Sequence, residues 1–194
     1  MKSSKLTFRN LLLLTSLLPT LATPAFAADT YKFDPTHTAI VFHINHFGFS
    51  NPSGKFMNVD GTLVLDQKDP AASKVNVTIP IAALDTDVPA LDAKLKEKDF
   101  FDATAYPTAN FVSTKVEVTG KDTAIVHGTL TLHGVSKPVD LNVRLNKIGA
   151  NFMNKPTVGF SAAATIKRSD FGITTYLPAL GDDVRLDIES EANL

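Results

Sequence analysis

The sequence predicts an all-β protein, an antiparallel barrel or sandwich of about eight strands with one inserted short helix and a long loop near the C-terminus. Apolar and polar residues alternate over most of the chain after residue 28, which is typical of strands with one buried face. The alternating segments follow each other at regular spacing, and one interval between them has helical periodicity instead. Because no linker or repeat divides them, we expect a single domain over residues 28–194.

Residues 1–27 have the pattern of a cleavable secretory signal. Lys2, Lys5 and Arg9 precede an apolar run over 11–18, and an Ala-Phe-Ala site ends at Ala27. Polar residues and a proline interrupt the run well short of the about 20 apolar residues that a membrane span requires. We therefore predict export and cleavage after Ala27, with no membrane span in the chain.

Composition excludes several classes of function. The chain has 19 basic and 20 acidic residues, and cleavage would remove three of the basic ones, which leaves a net charge of −4. A mildly acidic chain without a basic cluster gives no indication of nucleic-acid binding, and no polybasic run indicates attachment to anionic lipid. The absence of Cys excludes disulfides and Cys-ligated metals.

Before residue 119, alternation predicts four strands. Ile40, Phe42 and Ile44 share one face of the first strand, and Gly61 marks a bend in the second. The apolar faces of the second and third strands consist of Val59, Leu63, Leu65, Val75, Val77, Ile79 and Ile81. In the strand over 108–118, Val112 and Val116 fall on one parity and Phe111 on the other.

The strands of the second half alternate more regularly. Their apolar positions are Val126, Leu130, Leu132, Val139, Leu141, Val143, Val158, Phe160, Ala162, Ala164, Ile166, Val184, Leu186 and Ile188. Many of these side chains are small or medium in size, and the chain has no Trp to fill a barrel. An eight-stranded barrel of such residues either packs its interior completely or holds one small ligand, and periodicity leaves both alternatives open.

Two segments depart from alternation. Leu84, Val88, Leu91 and Leu95 form one helical stripe, with Pro89 suited to the first turn of the helix and the preceding aspartate, Asp87, suited to its cap. The stretch over 169–182 is predicted to be a long ordered loop. Aromatic and apolar residues of these segments are candidates for a mouth or lid, or for a cork at the end of the core: Phe100, Phe101, Phe171, Tyr176 and Leu177.

The residues indicate no catalytic or metal site. Residues an even number apart share a face of a strand, so His37 and His43 lie together and His46 faces the other way, whereas zinc requires three or four converging ligands. No nucleophile elbow or glycine-rich phosphate loop is present. The run Lys167-Arg168-Ser169-Asp170 indicates a turn in which Arg168 and Asp170 could pair locally. His46 continues an apolar face, where it could bond a ligand head group or a backbone carbonyl.

Four blocks of sequence, in order, resemble the YceI-like family. They lie over 37–46, 98–111, 128–139 and 168–192, and include the runs Lys98-Asp99-Phe100-Phe101-Asp102 and Arg168-Ser169-Asp170-Phe171-Gly172. The resemblance implies a lipocalin-like antiparallel barrel, usually exported to the periplasm, that encloses a long polyisoprenoid or similar amphiphile. It implies no catalytic residues and no cofactor apart from such a bound lipid.

The leading prediction is therefore a periplasmic carrier or reservoir for an isoprenoid lipid. The side chains expected to line its cavity are Ile40, Phe42, Ile44, His46, Phe111, Leu130, Leu132, Phe160 and Leu186. Two alternatives stay open: an enzyme acting on an isoprenoid, with His46 or a loop aspartate as acid or base, and an interaction module with a solidly packed barrel. A homodimer is a further open possibility.

Overall fold

A computed structural model describes residues 28–194, so the predicted signal over 1–27 lies outside the described residues. The described chain is mostly β-structure, with one α-helix, α1 (Pro89–Leu95), and short 3-10 turns at Pro70–Ala72, Ile81–Ala83 and Arg168–Phe171. Its strands are β1 (Asp29–Phe33), β2 (Ala39–His46), β3 (Ser53–Phe56), β4 (Asp60–Leu65), β5 (Lys74–Pro80), β6 (Leu84–Asp85), β7 (Thr108–Val118), β8 (Thr123–Leu132), β9 (Val135–Ala150), β10 (Pro156–Lys167) and β11 (Leu180–Asn193).

The strands form a closed antiparallel barrel, which confirms the predicted fold class. The barrel has eight staves, each a single strand or two short strands in line, and we call these staves arms. Three arms are broken once each: β1 continues as β2, β3 as β4, and β5 as β6. β7 to β11 supply the other five arms, each paired with its neighbour in sequence. The last arm closes the barrel because β11 pairs with both β1 and β2.

Because neighbouring arms run in opposite directions, their connections collect at two ends of the barrel. We call one the helical end; it consists of the connections over 47–52, 86–107, 133–134 and 168–179. The other, the hairpin end, consists of the connections over 66–73 and 119–122 and of the turn over 151–155.

A β-bulge in β7 changes which of its residues point inward. The register of β7 against β8 shifts between Ser113 and Lys115. Consequently Phe111 and Val116 are both buried, although they differ in parity, and Val112 is exposed. The predicted placement of Val112 on one face with Val116 is wrong, because a bulge adds one residue and reverses the alternation beyond it.

The inserted helix is shorter than the stripe of apolar residues suggested. α1 begins at Pro89, in the predicted first-turn position, but Leu84 belongs to β6 and Asp87 does not cap the helix. Instead Asp92, inside α1, accepts hydrogen bonds from the backbone N (2.8 Å) and Oγ1 (2.6 Å) of Thr86. Among residues 28–194, no helix is long and apolar enough to cross a membrane.

Close packing between β7 and β8 depends on Gly128. A Cβ at this position would collide with the Phe111 ring and lie 2.8 Å from the backbone oxygen of Val112. The missing side chain is therefore what allows the Phe111 ring to lie against β8. By contrast, a Cβ at Gly159 in β10 would have the Ser190 oxygen, at 3.8 Å, as its nearest neighbour.

We expect Gly128→Ala to lower the free energy of unfolding by about 1–3 kcal/mol, because the added methyl group overpacks the barrel wall. Urea unfolding monitored by circular dichroism measures the change. Gly159→Ala is the matched control, since its methyl group finds ordinary van der Waals space. Equal losses in the two variants would contradict the packing role given to Gly128.

Candidate functional site

A cavity of about 880 Å³ lies inside the barrel and extends from one end to the other. Its wall includes Tyr176 and Lys94 at the helical end and Gln67 and Lys121 at the hairpin end. Between the ends the lining is almost entirely aliphatic and aromatic. The volume falls within the range of about 300–1,000 Å³ that small-molecule sites occupy. The alternative of a solidly packed barrel is therefore wrong.

The structure brings all nine residues of the predicted lining to the cavity wall. They come from the arms formed by β2, β7, β8, β10 and β11, with period-two alternation setting which side chains face inward. These residues are Ile40, Phe42, Ile44, His46, Phe111, Leu130, Leu132, Phe160 and Leu186. Their position is thus established, while their contact with a ligand remains a prediction.

Aromatic rings line the cavity toward the helical end. The Phe56 ring lies 5.8 Å from that of Phe42 and meets that of Phe101 edge-on at 5.5 Å, measured between centroids. Sequence reasoning missed Phe56, because β3 has only four residues and is too short to show an alternation. Its buried ring connects the barrel wall to the segment that follows α1.

The residues predicted for a mouth or lid divide into two groups. Phe100, Phe101 and Tyr176 lie on the cavity wall at the helical end, and the rings of Phe100 and Tyr176 are 6.2 Å apart. Phe171 is instead fully buried in the main core, and Leu177 lies outside the cavity lining. The structure therefore does not place the latter two at the mouth.

The buried side chain of Arg168 organises the loop at the helical end. Its Nε donates to the oxygen of Gly181 (2.7 Å), and its Nη1 to those of Ile173 (3.0 Å) and Thr175 (2.9 Å). Nη2 donates to the Leu180 oxygen at 2.9 Å. One guanidinium group thereby satisfies two backbone carbonyls of the loop and two at the start of β11, and so ties the loop to that strand.

The expected pair between Arg168 and Asp170 is wrong, because the guanidinium group points into the loop. Burial lowers the pKa of Arg168, and the nearby charge of Asp182 opposes this effect. Burial alone would raise the pKa of Asp182, but its hydrogen bonds from the Ser169 N (2.9 Å) and Oγ (2.8 Å) bring that pKa below its ordinary value. Asp182 therefore stays charged beside the buried cation.

Polar side chains occur mainly at the two ends of the cavity. His46 is exposed at the helical rim, where its ring meets that of Phe47 edge-on at 4.6 Å. Lys94, also at this rim, donates from Nζ to Glu97 at 2.7 Å. The hairpin end contributes Gln67 and Lys121. An amphiphile could therefore lie with its apolar chain in the lumen and its head group at an end.

The other histidines have partners away from the cavity. His37 bonds Asp34 (2.9 Å), His43 lies 3.2 Å from Asp187, His127 bonds Asp140 (2.7 Å), and His133 bonds the Phe171 oxygen (3.0 Å). Over residues 28–194, no three His, Cys, Asp or Glu side chains are arranged to hold a metal ion.

We expect Arg168→Met to lower the free energy of unfolding by about 3 kcal/mol or more, because it leaves buried carbonyls without donors. Denaturant unfolding measures this loss, and hydrogen exchange should show that protection falls first around residues 173–181. The control is Arg185→Met, whose guanidinium group is exposed and pairs with Asp187. If the two variants unfolded alike, Arg168 would not organise the loop.

Comparison with known proteins extends the similarity over nearly the whole described chain. A family model of the YceI-like domain matches residues 31–192. A UPF0312 protein of Pectobacterium atrosepticum is 40% identical over 185 residues, which cover 94% of this chain and 96% of that protein. Protein YceI of Shigella flexneri is 42% identical over 169 residues, which cover 86% and 87% of the two chains.

Solved structures have the same architecture. The crystal structure of the Campylobacter jejuni YceI protein superposes with a TM-score of 0.70 at 35% identity and covers 78% of this chain and 90% of that one. A polyisoprenoid binding domain from Saccharophagus degradans shares the fold, with a TM-score of 0.65 at 16% identity over 84% and 97% of the two chains. By its sequence and its fold together, the chain belongs to the YceI-like domain family.

Proposed function

We propose that residues 28–194, released by cleavage after Ala27, form a periplasmic protein that encloses a long isoprenoid or similar amphiphilic lipid as its carrier or reservoir. The observation that carries this proposal is the apolar cavity of about 880 Å³, which follows the whole length of the barrel. Burial of apolar surface is the main driving force that such a cavity offers to a ligand.

The shape of the cavity favours a slender chain. Arms of ten or eleven residues, tilted as in a small barrel, span about 25 Å along the barrel axis. Rings such as Phe42 and Phe56 line the path toward the helical end. Contacts with such a wall have no direction, so we expect selection by length and width. A polar group in mid-chain would lose its hydrogen bonds to water and bind poorly.

Family membership supports the same ligand class. The Saccharophagus degradans protein that shares this fold is described as a polyisoprenoid binding domain. A long-chain lipid between two membranes requires a shell in order to cross water, because its apolar surface cannot stay exposed. The predicted signal over 1–27 and the apolar interior fit that role together.

We propose binding rather than catalysis. His46, the histidine on the cavity wall, has an aromatic neighbour in Phe47 and no carboxylate partner among the described residues, so nothing there orients it as an acid or base. The histidines that do contact carboxylates lie away from the cavity, at His37, His43 and His127.

Native mass spectrometry of the purified mature protein, followed by solvent extraction, tests the proposal. We expect a bound lipid with a long apolar chain, or uptake of added prenyl lipid by protein that was stripped of ligand. Recovery of no lipid together with no uptake would contradict a lipid-binding role. Chemical change of the lipid by the wild type, lost in His46→Ala, would instead indicate an enzyme.

A variant that fills the lumen tests where the lipid binds. We expect Ala162→Phe to weaken binding of prenyl lipid by about tenfold or more, because its ring occupies the path of the chain. Ala162 lies on the cavity wall, and the next residue, Ala163, has the opposite orientation on β10. Ala163→Phe is thus the matched control. Unchanged affinity in a folded Ala162→Phe protein would place the ligand elsewhere.

A further inference from the structure

At the hairpin end, β9 runs past the end of its neighbour β8, whereas β10 stays paired with β11 as far as Thr157. The last β9 residue paired with β8 is Arg144, opposite Thr123, and Leu145 still donates to the Asp122 oxygen at 2.8 Å. β9 then continues to Ala150 paired with β10 alone. At about 3.3 Å per residue, this adds about 15 Å of hairpin before the turn. We call the turn over 151–155 the hairpin tip.

The hairpin tip presents two apolar side chains to solvent on an ordered turn. Phe152 is 90% exposed and Met153 is 59% exposed. Asn151 holds the turn, because its Oδ1 accepts hydrogen bonds from the backbone N of Met153 (2.9 Å) and of Lys155 (3.1 Å). Asn154 adopts a left-handed conformation with φ at 60°. The exposure of the Phe152 ring is therefore built into the turn.

Beyond Asp140, the two strands that form the hairpin carry only positive charges, although Glu191 of β11 lies opposite Gly159 of β10. Between Asp140 and Asp170 the sequence has no acidic residue, and the arms that lead to the tip carry Arg144, Lys147 and Lys155. Within residues 28–194, neither of the two lysines belongs to an ion pair. This local excess of positive charge occurs in a protein whose net charge is negative.

The opposite end of the barrel also has an exposed phenylalanine, but the charges near it are mainly negative. Phe49, in the connection over 47–52, is also 90% exposed. However, the neighbouring segment over 86–107 contains five acidic and three basic residues. An anionic surface would therefore meet net negative charge at the helical end and positive charge at the hairpin tip.

We propose that the hairpin tip binds the surface of an anionic phospholipid bilayer. Phe152 and Met153 would enter the interface between head groups and acyl chains, and Lys147 and Lys155 would meet the lipid phosphates. Aromatic residues beside lysines are typical of segments held at a membrane interface. The sequence has no polybasic run, but the hairpin brings these separate cations to the base of one apolar tip.

Binding through the hairpin tip would also turn the hairpin end of the cavity toward the bilayer. Ile148, three residues before the tip, and Val118 at the end of β7 are both partly exposed and both part of the cavity wall. An apolar path therefore leads from the hairpin end into the lumen. The inference goes beyond the proposed function, since binding of the protein to a bilayer is measured whatever the cavity holds.

Flotation of the mature protein with vesicles tests the inference. We expect binding to vesicles of phosphatidylcholine with phosphatidylglycerol, weakened by salt, and much weaker binding to phosphatidylcholine alone. Phe152→Ser should reduce the affinity by about tenfold, because it removes the largest inserted side chain. Replacing Lys147 and Lys155 by Gln should reduce it by about fivefold per lysine. Phe49→Ser is the matched control and should bind as the wild type.

Three results would overturn the inference. The first is failure of the wild type to bind anionic vesicles, and the second is an equal loss in Phe49→Ser and Phe152→Ser. The third is a tip-dependent dimer, detected by light scattering and lost in Phe152→Ser, which would make a second copy the partner. Unchanged thermal unfolding and lipid content of Phe152→Ser would separate these outcomes from misfolding and from failure of the proposed lipid-binding function.

Discussion

A sheet with one apolar face must cover that face, and in this protein the cover is the same sheet closed on itself. Each of the eight arms directs its apolar side chains toward the opposite wall, so no second layer is needed. Closure also removes the exposed edges that an open sheet would present to other chains. The remaining features of the molecule depend on how completely side chains fill the interior and on which segments cover the two ends.

The interior remains open because many inward side chains are too small to meet across it. Val126, Val143 and Ala162 on three adjacent arms illustrate the point, since none of them reaches far from its strand. Where larger rings occur, as with Phe42 and Phe56, they lie toward the helical end. The cavity is thus a consequence of residue size on a fixed scaffold, and a long apolar chain is the kind of ligand that fits it.

Different kinds of segment cover the two ends of the barrel. At the helical end, a helix, an ordered loop and aromatic rings surround the opening, and Arg168 holds the loop through its carbonyl groups. At the hairpin end, loops and turns join the strands, and the hairpin of β9 and β10 presents Phe152 to solvent at its tip. The two ends of this barrel therefore differ in both structure and charge.

Alternation predicted an all-β barrel or sandwich and the inward position of residues such as Ile40 and Phe160, because a period of two is a property of each strand by itself. Alternation could not predict the bulge that turns Val112 outward. The apolar stripe by itself likewise did not predict that α1 begins only at Pro89, because neighbouring elements decide both features. The sequence indicated only a turn at Arg168. Its carbonyl partners could not be predicted, because they come close together only after the loop has folded.

The sequence by itself therefore determined an all-β fold whose strands have one apolar face, and its resemblance to the YceI-like family predicted a closed barrel with an apolar interior. The export signal over 1–27 stays a prediction. Only the tertiary structure decided whether that interior was filled, because the volume left by small side chains depends on the distance between walls that are remote in sequence. It also decided that Lys147 and Lys155 flank one exposed apolar turn. Local periodicity predicts which way a side chain points, whereas the free volume that this side chain faces depends on the closed barrel.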